Sequence, residues 1–230
     1  MDCDACVVDF ESVPSPNLKK SIVYSITARK IKIRDGVVTR LGTKTFVNKD
    51  AYTFVESFYK GTEYYDHVRS KIYDTFCNSM LVNTDDMIRK FVKFMNDNGK
   101  VWIGHSIDLD MKALYDTDQM YGRVKYFKYD PRGMDEFCTV RDGSVWGRIT
   151  KVCTQEVIPI RVKQFWETHK ANYPTQTGRF VNICKSIKGP DYQQRHNSID
   201  DVEDLIDVIE FLTLHYKTFY IGTQNCYRVH

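Results

Sequence analysis

Apolar and polar residues follow two different periods along the chain, and each period predicts a different kind of element. Residues 5 to 10 form a nearly continuous apolar run, which is typical of a strand that is covered on both faces. From Ser21 to Asn48 the alternation predicts a β-hairpin with its turn at Asp35-Gly36. The apolar phase of this hairpin changes from even to odd positions, so we predict a bulge near Ala28 or Arg29.

Further along the chain, apolar residues recur at helical spacing. Asn83 or Thr84 caps an amphipathic helix that ends at Asn98-Gly99. A short strand at 101–103 and a turn at 104–106 precede a second helix. Because this turn follows a strand, it should lie at the carboxyl end of a sheet, where open α/β sheets bind ligands.

Three predictions concern the last third of the chain. A helix is expected after Pro159, and the basic segment from Lys185 to Arg195, which contains Gly189-Pro190, is expected to be an exposed loop. The final helix begins at Asn197 or Ser198. It should bury a stripe of apolar residues spaced three or four apart, namely Ile199, Val202, Leu205, Ile206, Ile209 and Leu212.

Length and composition limit the class of protein. A chain of 230 residues without repeats predicts a single α/β domain over residues 1–230. Apolar residues make up 42% and charged residues 27%, close to the average of soluble proteins. No apolar run approaches the roughly 18 residues that span a bilayer, and the N-terminus lacks a signal-peptide pattern. We therefore expect an intracellular protein, cytoplasmic or nuclear, that is neither secreted nor bound to a membrane.

Charge and cysteine content add little by themselves. The net charge of +3 is too small to indicate nucleic-acid binding unless the basic residues cluster. The seven cysteines are odd in number and scattered, which fits reduced thiols. Cys3 and Cys6 form a C-x-x-C pair, but they precede a strand and no second pair completes a zinc site, so we expect small buried or edge side chains rather than a metal or redox role.

Two carboxylates at the end of the first strand are the first candidate for chemistry. Asp9 and Glu11 are two residues apart, so on a strand they project from the same face. Held side by side, two carboxylates repel each other, and a divalent cation between them removes that conflict. The alternative is a solvated strand end without function.

Further acidic residues stand near the starts of two predicted helices. Asp110 follows the turn at 104–106, and Asp201 follows His196 at the start of the final helix. Simpler explanations exist for each of them. Asp201 could complete a capping box with Ser198, Asp110 could be a surface acid, and His196, like His105, could be an ordinary loop histidine.

The order and spacing of three motifs resemble the DEDDh family of 3′-to-5′ exonucleases. The motifs are Asp9-x-Glu11, then Gly104-His105-Ser106-Ile107-Asp108-Leu109-Asp110, which is similar to the family's G-H-N-x-x-F-D, and His196-(x)4-Asp201. The related tyrosine subgroup would have Tyr at position 197, where this chain has Asn197. The family includes the proofreading subunit of bacterial DNA polymerase III, ribonuclease T, oligoribonuclease and the three-prime repair exonucleases.

The resemblance implies both a fold and a mechanism. The fold would be ribonuclease H-like, an α/β arrangement in which a mixed five-stranded sheet is flanked by helices. Asp9, Glu11, Asp110 and Asp201 would be the catalytic metal ligands for two ions, Mg²⁺ or Mn²⁺, with His196 as the general base. Asp9, Glu11 and Asp201 would hold one ion, and Asp9 with Asp110 through water would hold the other. The reaction would remove nucleoside 5′-monophosphates from a 3′ end.

The resemblance also implies how substrate is bound. The expected partner is nucleic acid with a free 3′ end, and a polymerase or another replication or repair protein is an expected further partner. Ser106 and Leu109 stand where the family has Asn and Phe, and Ser12 follows Glu11 where the family often has Thr, so the motifs leave DNA and RNA equally open. The residues expected to contact substrate are Phe10, Ser12, His105, Ser106, Lys188 and Arg195.

Two other functions compete with the exonuclease. Ribonuclease H-like endonucleases also gather carboxylates on such a sheet, but they lack the His-(x)4-Asp pairing and would release internal fragments. A catalytically inactive module that binds nucleic acid or protein usually lacks at least one carboxylate, whereas all five family positions are filled here.

Overall fold

A computed structural model describes residues 3–14, 20–62, 65–66, 69–70, 80–98, 101–123 and 150–216. Its strands are β1 Cys3–Pro14, β2 Ser21–Arg34, β3 Val37–Asn48, β4 Met80–Val82, β5 Val101–Gly104 and β6 Thr150–Cys153. Its helices are α1 Lys49–Phe58, α2 Thr84–Asn98, α3 Ile107–Tyr121, α4 Thr154–Arg161, α5 Lys163–Asn172, α6 Phe180–Lys188 and α7 Ser198–His215.

The strands form one mixed sheet in the order β4-β3-β2-β1-β5-β6. β1, β2 and β3 pair antiparallel, whereas β5 is parallel to β1 and to β6, and β4 is parallel to β3. The predicted α/β class is confirmed, but the described sheet has six strands where five were predicted. The short strand β4 pairs only with Phe46–Asn48, and three residues are too few for an alternation pattern to reveal a strand.

The predicted hairpin is formed by β2 and β3. At its turn Asp35 and Gly36 have φ of 49° and 83°, and this pair of positive values is what a tight two-residue turn requires. A register shift lies between Arg29 and Ile31, near the predicted bulge. The extra residue belongs to β3, however, because Arg29 pairs with Thr43 and Ile31 pairs with Arg40.

The change of apolar phase in β2 has a different cause from the one predicted. Ile26 packs in the core on the side of α2 and α3, and Ile31 packs on the opposite side against α7. Both faces of the sheet are therefore covered, and buried residues occur at even and at odd positions. A second shift, between Glu11 and Ser12, places the extra residue in β2, since Glu11 pairs with Ser25 and Ser12 with Val23.

β1 is the central strand of the sheet, and its two faces meet different helices. Cys6 and Val8 pack with residues of α2 and α3, whereas Ala5 and Val7 pack with residues of α4 to α7. All four side chains are fully buried, which confirms the predicted strand covered on both faces. Cys6 is thus a core side chain, as expected, and its burial raises the pKa of the thiol to about 12. Asp9 shares the face of Val7 and points towards α7.

Two predictions for the last third of the chain differ in part from the structure. The helix predicted after Pro159 is present as α5, but Pro159 itself lies inside the preceding helix, α4. A proline there lacks the N–H that would bond the carbonyl of Gln155, but the buried side chains of Thr154 and Ile158 hold the segment against the core. The chain breaks afterwards at Val162, and α5 follows.

The predicted loop from Lys185 to Arg195 is also shorter than expected. Residues up to Lys188 belong to α6, whose buried or half-buried side chains Phe180, Ile183 and Ile187 recur at helical spacing. The loop proper runs from Gly189, with φ of 106°, to Asn197. Lys185 and Lys188 are therefore helical residues.

Ion pairs fasten α7 to the hairpin and to α6. Arg29 contacts Glu203, and Arg40 contacts Asp207 as well as Glu210 at 2.8 Å. Lys188 contacts Asp204, and it lies 2.5 Å from Asp207. Such partly exposed pairs stabilise weakly one by one and more as a network. None of the helices in the described part of the chain combines the length and apolarity that a bilayer crossing requires.

Candidate active site

Three carboxylates converge between β1 and α7. Asp9 and Glu11 are half-buried on the face of β1 that α7 covers, and Asp201 projects from the first turn of α7 with 5% of its surface exposed. One oxygen from each of the three lies within 4.8 Å of the other two. The strand period and the helix position therefore bring together residues that are far apart in the sequence.

The start of α7 explains why Asp201 points inward. Ile199, predicted to be buried, is 37% exposed, and Ser198 takes its place in the buried stripe with 1% exposure. Asp201 and Val202 continue that stripe one turn later. The helix is capped by Asn197, whose side chain accepts a hydrogen bond from the Asp200 N–H, so capping does not account for Asp201.

Buried hydroxyl groups fix the first turn of α7 on the sheet. Ser198 Oγ hydrogen-bonds with Ser25 Oγ at 2.7 Å and with Thr27 Oγ1 at 2.8 Å, and Thr27 Oγ1 in turn lies 3.0 Å from Thr45 Oγ1. Thr27 and Ser25 are the β2 neighbours of Asp9 and Glu11 on the ladder. The hydroxyl cluster thus sets Asp201 directly across from the two strand carboxylates.

Asp110 reaches the same region from the first turn of α3. A tight turn places it there, since a Cβ atom at Gly104 would lie 3.0 Å from Ile107 Cβ and Ser106 adopts φ of 59°. Among the described residues, its buried Oδ2 has no hydrogen-bond partner. Asp110 and Glu11 interact electrostatically, so the four carboxylates form one charged cluster, which we call the carboxylate cluster: Asp9, Glu11, Asp110 and Asp201.

Burial and mutual repulsion raise the pKa values of two members of the carboxylate cluster. Burial raises the pKa of Asp9 well above its ordinary value, and the neighbouring charges of Asp110, Glu11 and Asp201 raise it further. The pKa of Asp110 is raised by burial and then by Glu11 and Asp108. Four carboxylates in such a place favour a positive counter-charge.

The donor set fits a hard divalent cation. All four side chains offer carboxylate oxygens, which Mg²⁺ and Mn²⁺ prefer, and the buried oxygen of Asp110 lacks another partner in the described part of the chain. Within the described ranges this is the one place where three or more ligand-type side chains meet closely enough to hold an ion.

His196 lies on the loop between α6 and α7, one residue before the cap of α7. Its side chain is exposed, and its φ of 55° is the left-handed conformation that non-glycine residues adopt rarely. Contacts with α7 hold this loop: Tyr192 donates to Asp204, Gln194 Nε2 donates to Asp201 Oδ2 at 2.8 Å, and Arg195 donates to Asp200 at 3.2 Å. Gln194 was not identified from the sequence.

His105, predicted as a substrate contact, has both ring nitrogens engaged by the protein. Nε2 donates to the Gly178 carbonyl at 2.8 Å, so Nδ1 of the neutral ring accepts from Thr154 Oγ1 at 3.1 Å. The ring also lies 5.1 Å from that of Phe180. These contacts tie the end of β5 to α4 and α6 and give His105 a structural position.

Replacing His105 with Ala is expected to cost about 1–3 kcal/mol of stability, because it leaves buried polar groups without their partner. Burial lowers the pKa of His105 below its ordinary value of 6.5, so its stabilising contribution is complete above pH 6.5 and is lost as the pH falls. Urea unfolding at pH 8 and pH 5.5 should therefore show a smaller difference between the wild type and His105→Ala in acid. An equal difference at both pH values would contradict this account.

The structure places the other predicted substrate contacts in different settings. Phe10 is 6% exposed and packs against Phe91 on the face of β1 opposite to Asp9, so its position gives no support to a substrate contact. Ser12 is exposed within β1, one residue after Glu11, and Ser106 Oγ donates to Gln155. At Lys188 a phosphate would have to compete with Asp204 and Asp207.

Arg195 differs from Lys188 in its exposure. Its side chain is 75% exposed and forms an ion pair with Asp200 at 3.2 Å. Arg195 also directly precedes His196 in the sequence. It is therefore better placed than Lys188 to meet a phosphate near the carboxylate cluster.

Comparisons with known proteins bear on this arrangement. No family model matches the chain, and no curated protein matches its sequence. Among solved structures, the chain is similar to the nuclease domain of 3′hExo, a DEDDh family member, bound to rAMP, with a TM-score of 0.55, 10% identity, and coverage of 95% of this chain and 96% of that one. The chain has the fold of a DEDDh 3′-exonuclease.

Two further structures agree with this fold. A full-length 3′-exonuclease matches with a TM-score of 0.53 and 10% identity over 91% of this chain and 80% of the other. The 3′-exonuclease that recognises the 3′ end of a histone mRNA stem-loop matches with a TM-score of 0.54 and 8% identity over 93% of this chain. This chain spans 64% of the length of that last protein. The predicted ribonuclease H-like fold is confirmed.

Proposed function

We propose that the protein is a metal-dependent 3′-to-5′ exonuclease that hydrolyses phosphodiester bonds of DNA or RNA and releases nucleoside 5′-monophosphates. The observation that carries the proposal is the carboxylate cluster, formed by four side chains from β1, α3 and α7 in the fold of DEDDh exonucleases. One structure of that fold holds rAMP, a nucleoside 5′-monophosphate. Nucleic acid with a free 3′ end is therefore the substrate class.

The carboxylates and His196 would have different roles in hydrolysis. Asp9, Glu11, Asp110 and Asp201 would hold two divalent ions, which supply positive charge at the scissile phosphate and make a water more acidic. His196, as a neutral imidazole, accepts the proton of the attacking water and raises the rate about 10² to 10⁴-fold. Since a protonated imidazole cannot do this, activity should rise with pH as His196 loses its proton.

Other parts of the proposal come from the resemblance and from the length and composition of the chain. A polymerase or another replication or repair protein is a predicted partner, and an intracellular location is predicted for the single domain of residues 1–230. The charged groups placed nearest to His196 in the sequence, above all Arg195, would meet the phosphates upstream of the cut.

A direct assay tests the proposed function. The protein is incubated with 5′-labelled single-stranded and double-stranded DNA and RNA in Mg²⁺ or Mn²⁺, with a chelator and Asp9→Asn as controls. A ladder that shortens from the 3′ end, with mononucleotide product, supports the proposal and identifies the substrate. Internal fragments would instead favour an endonuclease, and the absence of any cleavage would favour an inactive binding module.

The role of Arg195 can be measured from the salt dependence of binding. Each phosphate contact on a single strand contributes about 0.7 to the slope of log K against log salt concentration. Replacing Arg195 with Gln should lower that slope by about this amount. Arg89→Gln is the matched control, because Arg89 is an exposed, ion-paired arginine on α2. An unaltered slope in Arg195→Gln would remove this residue from the phosphate path.

A further inference from the structure

Gln194 connects the His196 loop to the carboxylate cluster. Its Nε2 donates to Asp201 Oδ2 at 2.8 Å, and both side chains are at least partly buried. An ionised carboxylate can only accept hydrogen bonds, so the amide nitrogen of Gln194 must face it. The contact therefore has a defined direction and chemistry.

The contact controls how Asp201 presents its oxygens. A donor on Oδ2 fixes the rotation of the carboxylate, and hydrogen bonds of this kind commonly orient metal-ligating carboxylates. Asp201 contributes an oxygen to the group that meets within 4.8 Å. Gln194 thus acts on the cluster through Asp201, without being a ligand itself.

The same contact acts on the loop. Tyr192 and Arg195 also bond to α7, but their acceptors, Asp204 and Asp200, do not belong to the carboxylate cluster. The bond from Gln194, in contrast, reaches a cluster carboxylate, Asp201. His196 follows two residues later, so the bond holds the chain against α7 close to this histidine.

We propose that Gln194 is a positioning residue that couples ion binding at the carboxylate cluster to the ordering of the His196 loop. This inference rests on the proposed function in so far as the cluster binds a divalent ion. An ion fixes the Asp201 carboxylate, and a fixed carboxylate is a better acceptor for Gln194, so the loop becomes more ordered. By linkage, the ordered loop strengthens ion binding by the same factor.

The test measures Mn²⁺ binding and loop exchange without any substrate. Gln194→Met keeps the length of the side chain but lacks a donor, and Gln194→Ala removes most of the side chain. Gln193→Met is the matched control, because Gln193 is the exposed neighbour. Mn²⁺ affinity is read from the electron paramagnetic resonance signal of the free ion, and exchange of residues 189–197 by hydrogen–deuterium mass spectrometry. Urea unfolding checks that each variant is folded.

The expected results separate the two proposals. Wild type and Gln193→Met should bind Mn²⁺ and show slower exchange in the loop when it is added. Both Gln194 variants should bind Mn²⁺ about 10-fold more weakly or worse, and their loop exchange should no longer respond to the ion. If both Gln194 variants bind Mn²⁺ with wild-type affinity and their loop exchange slows with the ion as it does in the wild type, this inference is overturned, whereas the proposed function is not. A wild-type protein that binds no Mn²⁺ would overturn the proposed function and the coupling with it.

Discussion

Replacing Asp9 with Asn should stabilise the metal-free protein at neutral pH and remove most of the stabilisation that Mg²⁺ or Mn²⁺ gives. Asp9 is surrounded by Glu11, Asp110 and Asp201, so an uncharged amide relieves repulsion within the carboxylate cluster. The same change removes a ligand that both ions would share. Catalytic activity should fall with it, because the ions are no longer held at the phosphate.

The pH dependence of this effect has a definite sign. The pKa of Asp9 is raised in the folded protein by burial and by its acidic neighbours, so the folded state holds its proton more tightly than the unfolded state does. The stability that this proton gives is complete below about pH 3.9, the unfolded value, and is lost as the pH rises through the raised pKa. Asp9→Asn should therefore gain most over the metal-free wild type at neutral pH and little in acid.

Thermal unfolding measures both parts of this prediction. An ion at about 100 times its dissociation constant stabilises by about 2.7 kcal/mol, which corresponds to a Tm increase of about 5–10 °C for a chain of this size. The wild type should show this increase and Asp9→Asn should not. Asp97→Asn serves as the control, because Asp97 is an exposed acid paired with Lys93 on α2. A metal-induced increase that survives in Asp9→Asn would contradict the assignment of the cluster.

Replacing His196 with Ala should reduce turnover by about 10² to 10⁴-fold while leaving Mn²⁺ affinity within a few-fold of the wild type. The imidazole is proposed to accept a proton and is not proposed to bind an ion, so catalysis and ion binding should separate. The remaining activity should also lose the dependence on pH that comes from the histidine. Single-turnover cleavage at several pH values, together with Mn²⁺ titration, measures all three quantities.

His215→Ala provides the matched control for this experiment. His215 is an exposed histidine in the last turn of α7, at the end of the helix opposite to His196. Its replacement should leave the rate and the pH profile unchanged. Unchanged turnover in His196→Ala would remove His196 from the mechanism and would make the loop a structural feature only.

Much of the sheet could be predicted because its signals are local and periodic. The alternation along β2 and β3, and the Asp35-Gly36 turn, depend on neighbouring residues alone. Asp9 and Glu11 likewise share a face whatever surrounds them. Asp201 lies beside Asp9 and Glu11 because α7 packs on the sheet through Ser198. The spacing of acidic residues in the sequence could not show this packing by itself.

The wrong predictions have a common physical cause. A proline such as Pro159, or the basic segment from Lys185 to Arg195, is a local signal, and tertiary packing can override it. In α4 the buried Ile158 holds a helix that contains proline, and in α6 Ile183 anchors a helix whose exposed lysines suggested a loop. Gln194 left no signal at all, because a single long polar side chain in a loop has no period to recognise.

The ion pairs around α7 also bear on how a polyanion approaches the protein. Arg29, Arg40 and Lys188 are each in contact with at least one acid of α7, so their positive charges are largely cancelled when viewed from a distance. The flank formed by α7 and the hairpin therefore offers little long-range attraction to a nucleic-acid strand. Diffusional encounter should instead favour the rim where the exposed Arg195 stands beside His196, which would direct a strand end towards the carboxylates.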